Sequence, residues 1–126
     1  MKFREITLET GTKLTLGKDE ESNDELMKEF EGKPNKIIHT VASGSPFCVI
    51  KSPLNPSEAE IFVSGGWCAR YSQDWRDNQD DVRVNVFTGK DIKKEDNMKP
   101  GTWEVKKAEI ITINKESIKN IEATEK

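Results

Sequence analysis

The sequence predicts an α+β fold, a compact two-layer domain in which a mixed, largely antiparallel sheet packs with two main helices. One observation is the alternation of apolar and polar residues in several short segments, clearest at 82–86, where valines flank Arg83 and Asn85. This period of two is typical of a strand with one buried face. The other observation is a pair of longer segments, 20–31 and 56–72, whose apolar or small residues recur three or four apart, as on one face of a helix.

Length and composition indicate one small domain. The chain has 126 residues and a mass of 14.3 kDa, enough for a single core, and we assign 1–113 to this domain and 114–126 to a polar C-terminal tail. Hydrophobic residues make up 33% and charged residues 34% of the chain, and no apolar run approaches the roughly 20 residues that span a bilayer. The N-terminus lacks the apolar core of a signal peptide. We therefore expect a cytoplasmic protein without a membrane partner.

The cysteine and histidine content argues against a metal or cofactor site. Cys48 and Cys68 lie among apolar neighbours with no further ligand nearby, so we expect buried thiols in a reducing compartment. With one histidine, His39, and no Cys-x-x-C pair, the sequence predicts neither a zinc site nor a bound cofactor.

The first predicted elements are a hairpin and a helix. Apolar residues alternate with polar ones in 6–8 and 14–16, on either side of a Thr-Gly turn, which is typical of a β-hairpin. The segment 19–31 then carries seven carboxylates and a single lysine, and its apolar residues share one helical face. Cap-forming side chains at 22–25 mark its start, and acidic charge there is favourable for the helix dipole.

Two strands follow, at 37–41 and 46–50, and the small residues 42–45 connect them. Such a connection turns tightly and leaves its backbone amides open. An open-amide loop can receive a phosphate, although the same residues also form ordinary turns. His39 lies at the strand end beside this loop, where it either has a structural role or contacts a ligand.

A second helix is predicted to start with Asn55 as its cap, followed by proline. Gly65 and Gly66 inside this helix each cost about 1 kcal/mol relative to alanine, which predicts that the helix approaches the sheet closely. At the helix end, Arg70 and the nearby Arg76 form a candidate basic patch, which the aromatic residues around them extend.

Lysines cluster where the predicted strand 82–88 ends. The cluster consists of Lys90, Lys93 and Lys94. A Pro-Gly turn at 100–101 then leads into a second extended run, 103–113. Between 83 and 107 seven basic residues minus four acidic ones leave +3, whereas the whole chain is −3. This local positive charge is either a surface for an anionic partner or an ordinary solvated face.

Several short motifs, in a fixed order, carry a resemblance to a known family. They are Leu-Thr-Leu-Gly-Lys at 14–18, Asn-Asp at 23–24, His-Thr at 39–40, Cys-Ala-Arg-Tyr-Ser at 68–72, Val-Asn-Val-Phe-Thr-Gly-Lys-Asp-Ile-Lys-Lys at 84–94 and Lys-Pro-Gly at 99–101. Over nearly the whole chain, this ordered set resembles the NFACT RNA-binding domain. That is the R domain of ribosome quality control factors, which is also found as a free-standing domain.

The resemblance implies a non-catalytic RNA-binding module whose partners are RNA, of the rRNA or tRNA kind, and the ribosome. The residues that it implies for RNA contact are Lys18, Asn23, Asp24, His39, Arg70, Lys90, Lys93 and Lys94. The cations among them would have to converge beside the histidine to bind phosphates, and an exposed ring such as Trp75 or Trp103 would stack on a base. Trp103 alternates with Val105, so a core position fits it equally well. The chain departs from the family at 43–46, which reads Ser-Gly-Ser-Pro where the family has Pro-Gly-Ser-His, and at 37–38, where Ile-Ile replaces the family's tryptophan and the aromatic residue or leucine after it.

Two other classes of function stay open at this point. A protein-interaction adaptor would use the acidic helix 20–31 to bind a basic partner. A nuclease or hydrolase would need a base beside a nucleophile, or paired carboxylates, and Asp24 with His39 is the pair that the sequence offers. The oligomeric state does not follow from the sequence.

Overall fold

The fold contains eight strands and four helices in residues 2–125, the part of the chain that the computed structural model describes. The strands are β1 (Phe3–Thr7), β2 (Lys13–Gly17), β3 (Lys36–Thr40), β4 (Cys48–Ser52), β5 (Val82–Thr88), β6 (Ile92–Lys93), β7 (Glu104–Val105) and β8 (Glu109–Ile113). The helices are α1 (Glu20–Phe30), α2 (Glu58–Arg70), α3 (Gln73–Asn78) and α4 (Lys115–Thr124), with a 3-10 turn at Gly89–Asp91. Among residues 2–125, none of the helices combines the length and apolar character needed to span a bilayer.

The main sheet has six strands in the order β1-β2-β4-β3-β5-β8, and β6 and β7 form a separate ribbon. Each strand pairing in the described residues is antiparallel, which confirms the α+β class with a largely antiparallel sheet. The predicted N-terminal hairpin is present, with Ile6 opposite Leu14. The predicted strand 82–88 lies inside the sheet, paired with β3 on one side and β8 on the other.

Helices cover both faces of the sheet, so the fold has three layers rather than the two that we expected. Neighbouring residues of a strand point to opposite faces. Ile38 packs in one hydrophobic core with Cys68 of α2, whereas Ile37 packs in a second core with Leu26 and Phe30 of α1. The consecutive apolar residues of β3 and β4 are the pattern of strands buried on both faces.

Gly65 brings α2 close to the sheet, as predicted, whereas Gly66 brings it close to α4. A Cβ at Gly65 would lie 2.8 Å from a methyl of Ile113 in β8, and a Cβ at Gly66 would lie 2.7 Å from a methyl of Ile121 in α4. The polar C-terminal tail therefore forms a helix against α2, and its Ile118 is fully buried.

Both long helices begin with a reciprocal cap that differs from the predicted one. The Asp19 carboxylate accepts a hydrogen bond from the Ser22 N–H at 2.8 Å, and the Ser22 hydroxyl accepts one from the Asp19 N–H at 3.0 Å. Ser57 and Glu60 cap α2 in the same way, so Asn55 is not the cap. A reciprocal pair satisfies two backbone N–H groups at once, which favours it over a single capping side chain.

The two tryptophans considered as rings for a base are buried. The segment 73–78 forms α3, and its Trp75 is 1% exposed. Trp103 is 8% exposed. Trp75 belongs to the core under α2, so it does not offer a ring to a base, and Trp103 takes the core position, under α1, that was its alternative.

The Gly89→Ala variant tests how tightly α1 is joined to β5. A Cβ at Gly89 would lie 1.9 Å from the Phe30 carbonyl oxygen and 2.7 Å from that of Lys33, and both are backbone atoms. We expect a loss of about 3 kcal/mol in the free energy of unfolding, measured by denaturant titration. In the control, Gly66→Ala, the Cβ meets the flexible end of Ile121 and gains about 1 kcal/mol of helix propensity. Equal stability of the two variants would contradict the tight junction.

Candidate nucleic-acid interface

A cleft of about 580 Å³ opens where three loops meet, a volume within the range of roughly 300–1,000 Å³ that is usual for ligand sites. One wall is the turn from β2 into α1, the second is the loop 43–46, and the third is the turn 100–103. Among the residues that line the cleft, those with cationic or hydrogen-bonding side chains discussed below are Arg4, Lys18, Asn23, His39, Tyr71 and Arg76.

The loop 43–46 lines the cleft with small residues. Gly44 has a φ of +90°, and its carbonyl accepts a hydrogen bond from the Gln73 N–H at 2.8 Å. The Ser45 hydroxyl accepts from the Thr40 N–H at 3.1 Å, which fixes the loop to the end of β3. Ser43 and Gly44 are exposed, and their own N–H groups have no acceptor within residues 2–125. Exposed N–H groups of this kind suit an anion.

His39 both supports this loop and lines the cleft. Its Nδ1 donates to the Thr40 carbonyl oxygen at 2.9 Å, because a carbonyl only accepts, and its ring packs against Phe47 with centroids 4.5 Å apart. Burial lowers the pKa of His39 below its usual value of 6.5 and outweighs the opposing effect of the Thr40 and Ser45 backbone. His39 is therefore neutral near neutral pH and acts as a hydrogen-bonding group rather than a cation.

Cations reach the cleft from three separate elements. Arg4, on β1, places its guanidinium over the Tyr71 ring, 4.2 Å from the centroid. Arg76, on α3, is exposed and donates to the Gln73 side-chain oxygen at 2.8 Å. Lys18 follows β2 and is also exposed. These three side chains lie far apart in the sequence, so only the fold brings them to one site.

Two carboxylates also line the cleft. Asp19 caps α1, and the backbone N–H of Ser22, followed by the Ser22 hydroxyl, holds the pKa of that carboxyl below its usual range. Glu20 is exposed beside it. The lining side chains thus carry three positive and two negative formal charges, a local excess of +1, in a chain whose net charge is −3.

The Asn23 side chain is largely buried and shapes the cleft through its contacts with the protein interior. Its side-chain oxygen accepts a hydrogen bond from the Phe47 N–H at 3.0 Å. A Cβ at Gly17 would lie 2.0 Å from that oxygen, so glycine is needed where β2 passes α1. The asparagine amide nitrogen is the part of this side chain that is left to face a ligand.

Asp24 holds the loop that carries the lysine cluster onto α1. Its Oδ1 accepts hydrogen bonds from Lys94 Nζ at 3.0 Å, from the Gly101 N–H at 2.9 Å and from Trp103 Nε1 at 2.9 Å. Lys94 Nζ also donates to two carbonyl oxygens of its own loop, each at 2.9 Å. Burial raises the pKa of Asp24, but the donors, Lys94 first among them, outweigh burial and hold the pKa below its usual value. Asp24 therefore fixes one wall of the cleft, and the Lys94 ammonium has its hydrogen bonds satisfied.

The other predicted cations lie outside the cleft lining. Lys93 Nζ pairs with Glu95 at 3.1 Å. Arg70 pairs with Glu125 at 2.9 Å and with Glu122 at 3.7 Å, both at the end of α4. Lys90 is exposed on the 3-10 turn. The expected convergence of the lysine loop and Arg70 beside His39 is therefore not present.

The cleft combines predicted residues with residues that the sequence did not single out for RNA contact. The predicted ones that line it are Lys18, Asn23 and His39. The additional ones are Arg4, Tyr71 and Arg76. Arg76 belongs to the basic patch noted in the sequence. Tyr71 lies in the motif at 68–72, but Arg4 gave no local signal, because its contact with Tyr71 joins β1 to the end of α2 and exists only in the folded chain.

Comparisons with known proteins give a family and a fold. A family model described as the NFACT protein RNA binding domain matches residues 2–107, a range that ends before α4. No curated protein matches the sequence significantly. Among solved structures, the C-terminal part of the fibronectin/fibrinogen-binding protein from Streptococcus suis superposes with a TM-score of 0.83 at 22% identity, over 95% of this chain and 49% of that chain. The chain thus spans about half of that neighbour, and at this identity the likeness concerns the fold.

The Asp24→Asn variant tests whether this carboxylate fixes the wall 100–103. We expect a loss of about 2 kcal/mol in the free energy of unfolding near neutral pH and faster hydrogen exchange at the Gly101 amide. Because folding lowers the pKa of Asp24, its stabilisation is present above the usual value of 3.8 and is lost as pH falls through the folded pKa. The stability difference from the wild type should therefore shrink in acid.

The matched control is Asp96→Asn, an exposed carboxylate in the same loop. Denaturant titrations across acid and neutral pH should show almost no change for this variant. If Asp24→Asn were as stable as Asp96→Asn near neutral pH, the role of Asp24 would be contradicted.

Proposed function

The chain belongs to the NFACT protein RNA binding domain family, and on this premise we propose that it is a non-catalytic RNA-binding module whose contact surface is the cleft. The observation that carries the proposal is the convergence of Arg4, Lys18 and Arg76 on one concave site beside His39. A general RNA-binding role follows from the family, and the cleft is the surface that we assign to it.

The cleft offers a partner for each chemical part of an RNA nucleotide. Cationic side chains and open N–H groups of the loop 43–46 suit phosphate oxygens, and neutralised phosphates release counterions, which makes the affinity depend on salt. A neutral His39 and the amide nitrogen of Asn23 suit base edges or the 2′-hydroxyl, the group that distinguishes RNA from DNA. The position of Arg4 over Tyr71 keeps this guanidinium in a fixed place at the rim.

For the target and the setting, we propose rRNA or tRNA on the ribosome, in the cytoplasm. The support for the target is the resemblance to the R domain of ribosome quality control factors. The support for the setting is that Cys48 and Cys68 are unpaired and buried, and that burial raises the pKa of Cys68 to about 12. Unpaired structural thiols of this kind are typical of a reducing compartment.

The two alternative functions have less support. Catalysis would need Asp24 and His39 as a pair, but Asp24 does not line the cleft, and its Oδ1 already accepts three hydrogen bonds. An acidic docking helix would use the exposed carboxylates of α1, Glu20, Glu21 and Glu29, but the matching family is described as binding RNA. We therefore favour RNA binding without chemistry.

Charge reversal at the cleft tests the proposed surface. We expect Lys18→Glu with Arg76→Glu to weaken RNA binding at least about tenfold at low salt. The slope of log affinity against log salt should also fall by about 0.7 for each phosphate that the variant no longer neutralises. Fluorescence anisotropy with a labelled RNA at several salt concentrations measures both quantities.

The matched control is Lys93→Glu with Lys119→Glu, which changes the net charge by the same amount at exposed positions outside the cleft. We expect this variant to keep most of the affinity and the full salt slope. A larger loss in the control than in the cleft variant would move the contact surface to the lysine loop and contradict the proposal.

Incubation with labelled RNA and a divalent metal ion tests the non-catalytic assignment. We expect the RNA to stay intact over hours at a protein concentration that saturates binding, because Asp24 and His39 are not a pair. Gel electrophoresis measures cleavage. Cleavage by the wild type that is lost in His39→Ala would establish a nuclease instead.

A further inference from the structure

Helix α1 covers only part of its face of the sheet. It packs on Ile37 and Phe87, which lie opposite each other on β3 and β5. Beyond them on the same face, every second residue of β3, β5 and β8 continues across the sheet in two rows. These rows, named here the open sheet face, are His39, Asn85 and Ile110, followed by Val41, Arg83 and Thr112.

The open sheet face is exposed although two of its six side chains, Ile110 and Val41, are apolar. Ile110 is 54% exposed and Val41 is 39% exposed, the first on an edge strand and the second just after β3. Arg83 and Thr112 are exposed as well, and Asn85 is half-buried. Within residues 2–125 no element covers the four exposed side chains, which are those of Val41, Arg83, Ile110 and Thr112. Large apolar side chains that are exposed beside a cation indicate a contact surface.

This face is continuous with the cleft through His39. The His39 ring lines the cleft, and on the sheet the same residue lies directly opposite Asn85, which in turn lies opposite Ile110. Of the six side chains of the open sheet face, one is cationic, Arg83, and none is acidic. An anionic chain that leaves the cleft over His39 therefore meets planar, polar and apolar groups without meeting a carboxylate on this face.

We propose that single-stranded RNA runs from the cleft across the open sheet face, an inference that rests on the proposed function and names its substrate class. Unpaired bases can lie flat on a sheet, stack on an imidazole or a guanidinium and use their edges for hydrogen bonds, whereas a duplex hides those edges. His39 and Arg83 supply the planar groups, Asn85 the hydrogen bonds, and Ile110 the apolar contact.

Binding of two RNAs by the full chain tests the inference. The probes are a labelled oligouridylate of about ten nucleotides, a usual site size for single-strand-binding folds, and an RNA duplex of the same length. We expect the wild type to prefer the single strand. We expect Arg83→Glu to weaken single-strand binding about tenfold, the effect of losing one stacked base, while Lys119→Glu, on α4 across the sheet, leaves it unchanged.

The outcomes separate this inference from the proposed function. If the cleft variant Lys18→Glu with Arg76→Glu weakens binding but Arg83→Glu does not, the open sheet face is excluded and the cleft stands. If neither variant weakens binding, the proposed function is contradicted, and the inference that rests on it is contradicted as well. Equal affinity for duplex and single strand would overturn the inference whatever the variants do.

A second readout does not depend on any substitution. Backbone amide shifts of the wild type, recorded as the oligouridylate is added, should change at the ends of β3 and β5 and along β8 as well as at 43–46. A dinucleotide, too short to leave the cleft, should move only the signals around 43–46. Changes confined to 43–46 with the longer RNA would overturn the inference. If this face binds a protein instead of RNA, the amide shifts of β8 should not change when RNA is added.

Discussion

One carboxylate, Asp24, holds together the parts of the chain that form the cleft. It lies on α1, and its three hydrogen-bond donors lie 70, 77 and 79 residues further along the chain. This contact positions the turn 100–103 opposite the turn that leads into α1, so the cleft has a wall. The same contact pairs the Lys94 ammonium with Asp24 and leaves its side chain 22% exposed. The cationic side chains that line the cleft are therefore Arg4, Lys18 and Arg76, and Lys94 is not among them.

Local signals in the sequence were enough for most of the fold. The N-terminal hairpin, the strand 82–88, the two long helices and the close approach of α2 at Gly65 and Gly66 all follow from periodicity and residue size. The third layer was missed because the sequence of α1 is typical of a surface helix. Its contact with Ile37 is a tertiary contact that local periodicity does not indicate. The burial of Trp75 was missed because six-residue helices such as α3 have too few turns to show a period.

The candidate site was harder to predict, since charge in a sequence does not say which charges face each other. Lys94 and Arg70 looked available because their carboxylate partners, Asp24 and Glu125, lie 70 and 55 residues away. Lys18 and His39 were found through the resemblance, which implies both of them for RNA contact. In this acidic chain the fold thus brings three cations to one cleft, although they lie far apart in the sequence.

Photo-crosslinking tests the central claim most directly. The full chain is bound to single-stranded RNA that contains 4-thiouridine, irradiated and digested, and the crosslinked peptides are identified by mass spectrometry. The account predicts crosslinks within 39–46 and 71–76, the segments that line the cleft. Crosslinks concentrated in 90–99, with none in those two segments, would contradict it.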